Sequence, residues 1–209
     1  MNFRDFKNKF QSKPIIDSKD FYFFGNENYL KRQVSEWLKK GLLLKLKRGI
    51  YLINDANYLE KTSLLSIANY LYQPSYISLE FALRYYQLIP EEVYHITSVT
   101  TRKTAHFKNS LAYFYYRHIK ESLFWGFDTI SVNNQSVFMA LPEKALIDFF
   151  YLNLNDFMNQ RNSWQSYRFQ NIEKLNFNQL DEYLERIENK KLNILVESFK
   201  SIVLHQKFS

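Results

Sequence analysis

The chain has 209 residues, enough for a buried core and one or two domains, and carries a formal charge of +7. It has no cysteine, which excludes a disulfide framework and any thiolate metal site. The opening residues are charged throughout, and nowhere is there an apolar run of about 18 residues, so a cytoplasmic protein with no membrane partner is expected. Aromatic residues reach 18%. The chain is also rich in Asn, Lys and Ile, a bias that AT-rich coding produces, so the aromatic excess by itself does not indicate nucleic-acid stacking.

The charge is unevenly placed. Residues 1–55 hold 12 Lys and Arg against 6 Asp and Glu, whereas residues 56–209 hold 16 against 15. A basic surplus confined to one quarter of a chain is the electrostatic footprint of a duplex binder, because phosphate neutralisation supplies most non-specific affinity.

In chain order, residues 2–11 read as a helix with Phe3, Phe6 and Phe10 on one side, broken at Pro14. Asp17 or Ser18 caps a second short helix through Phe23 or Phe24, closed by Gly25. Asn26 or Asn28 opens a third. Its Leu30, Val34, Trp37 and Leu38 form an apolar stripe, while Asn28, Lys31, Arg32, Ser35 and Lys39 share the opposite face. Gly41 supplies the left-handed stop. Two apolar runs, residues 42–46 and 50–53, joined by Lys47, Arg48 and Gly49, then make a hairpin with a cationic tip.

Helix, helix, helix, hairpin is the order of a winged helix-turn-helix. That reading sends the start of the third helix into the major groove of double-stranded operator DNA, with Asn28, Tyr29, Lys31, Arg32, Gln33 and Ser35 nearest bases or phosphates. Lys45, Lys47 and Arg48 on the wing would grip the backbone. The plain alternative is a packing unit whose lysines are merely solvated; the concentrated charge favours the reader.

Residues 54–60 read as a polar connector. Beyond it come helices at residues 62–72 and 78–87, a strand at 94–100, and two hairpin-like pairs at 104–119 and 124–140. A helix opened by Pro142 follows, with Ala145, Leu146, Phe149 and Phe150 buried. Residues 155–170 show no clear period, and residues 177–188 and 192–205 read as amphipathic helices. The expected fold class is α+β. A winged helix-turn-helix over residues 1–55 precedes a mixed domain over residues 56–209, with an antiparallel sheet and flanking helices.

Enzyme motifs are sparse. His95, His106, His118 and His205 match no metal-ligand spacing, and Gly126 is the only glycine after Gly49, which excludes a P-loop or GxGxxG turn. No metal, cofactor or catalytic residue is therefore expected. Asp181, Glu188 and Lys190 lie in a charged helical stretch that reads as a solvated face. The hydroxyl-rich SVTTRKT cluster, residues 98–104, ends a strand beside Arg102 and Lys103, where it would hold a phosphate or an acidic surface or simply form a strand-end turn.

Four blocks carry a resemblance: YISLEFALRYYQLIP (residues 76–90), ITSVTTRKT (96–104), FYYRHI (114–119) and ALPEKALIDFFYL (140–152). Together, in this order, they resemble the AbiEi family, the antitoxins of type IV toxin–antitoxin systems associated with abortive phage infection. The resemblance implies a winged helix that binds inverted repeats in its own promoter and represses it. It also implies a C-terminal domain that counters a nucleotidyltransferase toxin without a stable complex. Thr100, Thr101, Arg102, Lys103, Arg117 and His118 fall in blocks that match family motifs and are the candidate neutralisation residues. With no coiled coil in the chain, a monomer that pairs on DNA is expected. Alternatives are a stand-alone regulator without a toxin, a pure interaction protein, or a nucleotide-processing enzyme using Arg102, Lys103, Glu143 and Asp148.

Overall fold

A computed structural model describes residues 1–11, 13–24, 27–160 and 163–206. Gly25 and Asn26, expected to separate the second and third helices, lie outside the described residues.

The N-terminal region begins with helix α1 (Phe3–Lys9), whose start is capped by the Asn2 side chain accepting from the Asp5 amide at 2.8 Å. Strand β1 (Ile15–Asp17) and a 3-10 helix (Ser18–Phe24) lead to helix α2 (Glu27–Lys39). A hairpin of β2 (Leu43–Lys47) and β3 (Ile50–Ile53) follows. Gly41, at φ +67°, ends α2 in a Schellman turn: the Leu42 amide donates to the Trp37 carbonyl at 2.9 Å and the Gly41 amide to the Leu38 carbonyl at 3.1 Å. Gly49 is required twice over, by its φ of +80° and because a Cβ there would lie 2.8 Å from the Ser18 hydroxyl.

Strand β1 was not legible in the sequence, where Pro14 and Asp17 read as punctuation. It pairs antiparallel with β3, giving a sheet of order β1-β3-β2. Alternation divides this sheet between two cores. Ile16, Leu43 and Ile53 face the cluster built on Phe6, Phe21 and Trp37. Ile15, Leu46, Ile50 and Leu52 face the cluster of the C-terminal region. Residues 54–60 are not a plain connector either: Asp55 caps helix α3 (Ala56–Lys61) and bonds Lys7 at 2.6 Å, and Tyr58 belongs to the first core.

The C-terminal region runs through α4 (Leu64–Leu71), β4 (Ser75–Ile77), α5 (Leu79–Tyr85), β5 (His95–Thr100), β6 (Ala105–Lys108) and β7 (Tyr113–His118). It continues with β8 (Phe127–Val132), β9 (Gln135–Ala140), α6 (Pro142–Leu152), α7 (Leu154–Asn159), α8 (Phe177–Ile187) and α9 (Lys190–Gln206). The class is α+β, and the sheet, of order β6-β7-β5-β4-β9-β8, is mixed. The two expected hairpins are present, β6 with β7 and β8 with β9. The sheet is nevertheless not antiparallel throughout, because β7 rather than β6 lies beside β5 and β9 joins β4, both in parallel. The three-residue β4 makes the second junction and is too short to show a period. Residues 155–170, unplaced by pattern, supply Phe157, Trp164, Tyr167 and Phe169 to an aromatic cluster around Phe149, Phe150 and Phe199. Among the described residues no helix is long and apolar enough to cross a membrane.

A pair of fully buried charges occupies the centre of the C-terminal region. Lys144 and Asp148, one turn apart on α6, form an ion pair. The Tyr76 and Ser78 hydroxyls donate to the other Asp148 oxygen at 2.9 and 2.8 Å, and Lys144 also donates to the Tyr76 oxygen at 2.8 Å. Ser78 occupies the cap position of α5, but its hydroxyl is committed to Asp148 rather than to the helix. Burial pushes the Asp148 carboxyl up and the Lys144 ammonium down, each offset by the other's charge. Gly126, at φ +73°, admits this lysine: a Cβ there would lie 2.9 Å from the Lys144 Cγ.

Replacing one partner leaves the other buried without its counter-charge, so Lys144→Met is expected to cost about 3–5 kcal/mol in urea denaturation. The double variant with Asp148→Asn is expected to lose less than the sum of the singles; strict additivity would remove the pair from the centre of this core.

Candidate nucleic-acid interface

Helix α2 is held by three buried residues on one stripe, Leu30, Val34 and Trp37, packed on Phe3, Phe6 and the strands behind. The spacing that buries these three turns the other side outward. Asn28, Tyr29, Lys31, Arg32, Ser35 and Lys39 are exposed, and Gln33 is half-buried at the edge. The Gln33 amide donates to the Tyr29 hydroxyl at 3.1 Å while its carbonyl oxygen is buried without a partner. A two-pronged approach of Gln33 to a base therefore requires the Tyr29 bond to open. Glu36 meets Lys39 at 3.4 Å, an exposed pair of little energetic weight.

On the hairpin, Lys45 and Arg48 are exposed, and Lys47 is not placed as expected. A bulge between Lys45 and Lys47 swings residue 47 toward the C-terminal region. There its ammonium donates to the Leu71 carbonyl and lies 5.1 Å from the Phe107 ring centre and 5.9 Å from that of Tyr72. Desolvation, reinforced by Arg102, holds its pKa below the usual lysine value. Lys47 is a fastening between the two regions rather than a cation at the tip. Pattern reasoning also missed Tyr22 and Phe23, 77% and 79% exposed, just before α2. Two adjacent aromatics in a short helix follow no stripe, so neither burial nor exposure was readable from them.

The strand-end residues divide into structural and available groups. Register places Thr100 beside His118 and Val99 beside Arg117, so the two sequence blocks do meet. Thr100 is buried and donates to the Pro74 carbonyl at 2.7 Å, and Thr101 is half-buried. Arg117 is fastened to the end of α6 through Asn153 and the Leu152 carbonyl, both at 2.7 Å. Arg102, Lys103 and His118 are exposed. Arg102 lies over Tyr72 at 4.3 Å, and its carbonyl is 3.0 Å from His118 Nδ1.

Glu143 and Asp148, the carboxylates of the enzyme alternative, are both buried. Glu143 accepts from the Asn176 amide at 2.7 Å, and both Asp148 oxygens have partners. Asp181 pairs with Lys200. These carboxylates act as structural acceptors here.

Because Lys47 joins the hairpin to α4 and β6, Lys47→Ala is expected to lower stability by about 1 kcal/mol in urea denaturation, with the cation–π contribution discounted for partial exposure. An unchanged midpoint would mean that the contact carries no stability. Compared with known proteins, the chain matches no protein-family model and no curated protein.

Proposed function

We propose that the chain is a sequence-specific duplex-DNA-binding regulator, its N-terminal region a winged helix-turn-helix with α2 as the reading helix and the β2–β3 hairpin as the wing. The observation that carries the proposal is the outward face of α2, where Lys31, Arg32, Ser35 and Lys39 are exposed on a helix fixed from behind, together with exposed Lys45 and Arg48 on the hairpin that follows it. Arg32 is assigned to a guanine edge, Asn28 to an adenine, and Lys31, Lys45 and Arg48 to phosphates. Lys47 is left out of the DNA contact because the fold uses its charge elsewhere.

The sequence resemblance extends this proposal to an AbiEi-type antitoxin that represses its own operon and counters a nucleotidyltransferase toxin through the C-terminal region. Arg102, Lys103 and His118 are the neutralisation positions favoured by exposure; Thr100 and Arg117 are reassigned to support. A monomer that pairs on inverted repeats fits a reader with one helix per half-site.

Titration of DNA from upstream of the chain's own gene, at several salt concentrations, tests the proposal. Lys45→Ala with Arg48→Ala is expected to weaken binding for all sequences and flatten the salt slope by about 2, and Lys47→Ala to leave the slope unchanged. Arg32→Ala is expected to cost about 1–3 kcal/mol and relax the preference at one base pair. Affinity and slope unchanged in the Lys45 and Arg48 variant would remove the wing assignment. Rescue of cells expressing the neighbouring toxin by the full chain, lost with Arg102→Ala and Lys103→Ala but retained with Arg32→Ala, tests the antitoxin half separately.

A further inference from the structure

The mixed sheet has one face that its helices do not fully cover. On β5, Thr97 faces α5, receiving the Phe81 amide at 3.0 Å and donating to the Ser78 carbonyl at 2.7 Å, and on β7 Arg117 reaches the end of α6. Strand alternation puts His95, Tyr113, Tyr115, His106 and Lys108 on this same face, beyond the helices. All five are exposed, Tyr113 and Tyr115 by 43% and 41%. The rings form a row across three strands: Tyr115 lies 5.0 Å from His95 and 6.2 Å from His106, nearly parallel to the latter at 25°. The Lys108 ammonium sits 4.7 Å from the centre of the Tyr113 ring.

The three strands carry charge of one sign, and Glu92, accepting from the Tyr94 hydroxyl at 2.9 Å, lies just outside them. Residues 93–120, which contain β5, β6 and β7, hold five Lys and Arg, three His and no Asp or Glu. Aromatic rings standing on a sheet among cations, with no carboxylate on the three strands, match the two repeating features of a single-stranded polynucleotide. Its bases stack on rings whatever their identity, and its phosphates need positive charge. A duplex keeps its bases inside and would leave the rings without partners. An acidic protein surface would satisfy the cations and leave the stacking unused.

We propose that this face, formed by His95, His106, Lys108, Tyr113 and Tyr115, binds single-stranded nucleic acid, an activity separate from the duplex contact of α2. Bases would stack on Tyr115 and Tyr113, with Lys108 beside the phosphate that links them. DNA and RNA share this chemistry, and the two are distinguished by measurement.

Fluorescence anisotropy of the full chain with labelled oligo-dT and oligo-U of about 12 nucleotides provides the test. Binding is expected to be salt-dependent, to weaken about tenfold or more in Tyr113→Leu with Tyr115→Leu, and to persist within about twofold in Tyr115→Phe, which keeps the ring. Leucine preserves apolar area at these exposed strand positions. Should that variant melt early, His106→Ala with Lys108→Ala is expected to weaken binding and reduce the salt slope by about 1. Arg32→Ala, which tests the duplex contact, is expected to leave oligonucleotide binding intact, so failure of one activity is separable from failure of the other. Equal affinity for the two probes supports recognition by stacking and phosphate alone, and tighter oligo-U binding adds a 2′-hydroxyl contact. No binding of either probe, or binding indifferent to both the Tyr and the His106 and Lys108 variants, overturns the proposal.

Discussion

The small sheet β1-β3-β2 is buried on both faces, and that single constraint fixes how the first quarter of the chain relates to the rest. Ile16, Leu43 and Ile53 seal the core beneath α2, and Ile15, Leu46, Ile50 and Leu52 close against the C-terminal region. Each fully buried aliphatic side chain contributes about 1.5–3 kcal/mol, so separation of the two regions would expose four such residues at once. A hairpin attached on one face only would be a mobile arm. Here β2 lies beside β6, and the Asn109 side-chain amide donates to the Leu46 carbonyl at 3.2 Å. A surface presented by α2 is therefore held in a defined relation to the large sheet.

The same packing separates the cations by task. Lys47 lies within two residues of Lys45 and Arg48 in sequence, yet the bulge places its ammonium on the Leu71 carbonyl. Arg117 is likewise fastened to α6, whereas Arg102, Lys103 and Lys108 remain at the surface. The most buried charges, Lys144 and Asp148, contact no solvent and join α6 to β4 through Tyr76 and to the start of α5 through Ser78. Burial of a charge pair is costly unless every group has a partner, and here the hydroxyls complete the set. Its position between helix and sheet fits a role in selecting one packing of those layers.

What was legible in the sequence followed from periodicity and punctuation. The Leu30, Val34 and Trp37 stripe, the Gly41 stop, the Gly49 turn and the two long hairpins each depend on neighbours within a few residues, and each is present. The features that were not legible depend on distant residues. Three-residue strands such as β1 and β4 are created by their partners, and the parallel junctions follow from how the sheet is assembled. Lys144 and Asp148 carried a faint signal, opposite charges four apart inside an apolar helix, which their burial explains. The aromatic excess meant little as a percentage; the placement of Tyr113 and Tyr115 on one face, set by the strand register, gives it chemical content.

The absence of cysteine allows a direct examination of the proposed duplex contact, because a single introduced thiol is unique in the chain. An iron chelate attached through Ser35→Cys, on the outward face of α2, would generate hydroxyl radicals at the proposed groove. One attached through Glu185→Cys, exposed on α8, serves as the control. On DNA from upstream of the chain's own gene, the α2 probe should cut at two symmetric clusters within an inverted repeat, and the α8 probe should not produce that pattern. Absence of cutting from the α2 position, or the same pattern from both positions, would contradict duplex recognition by this helix.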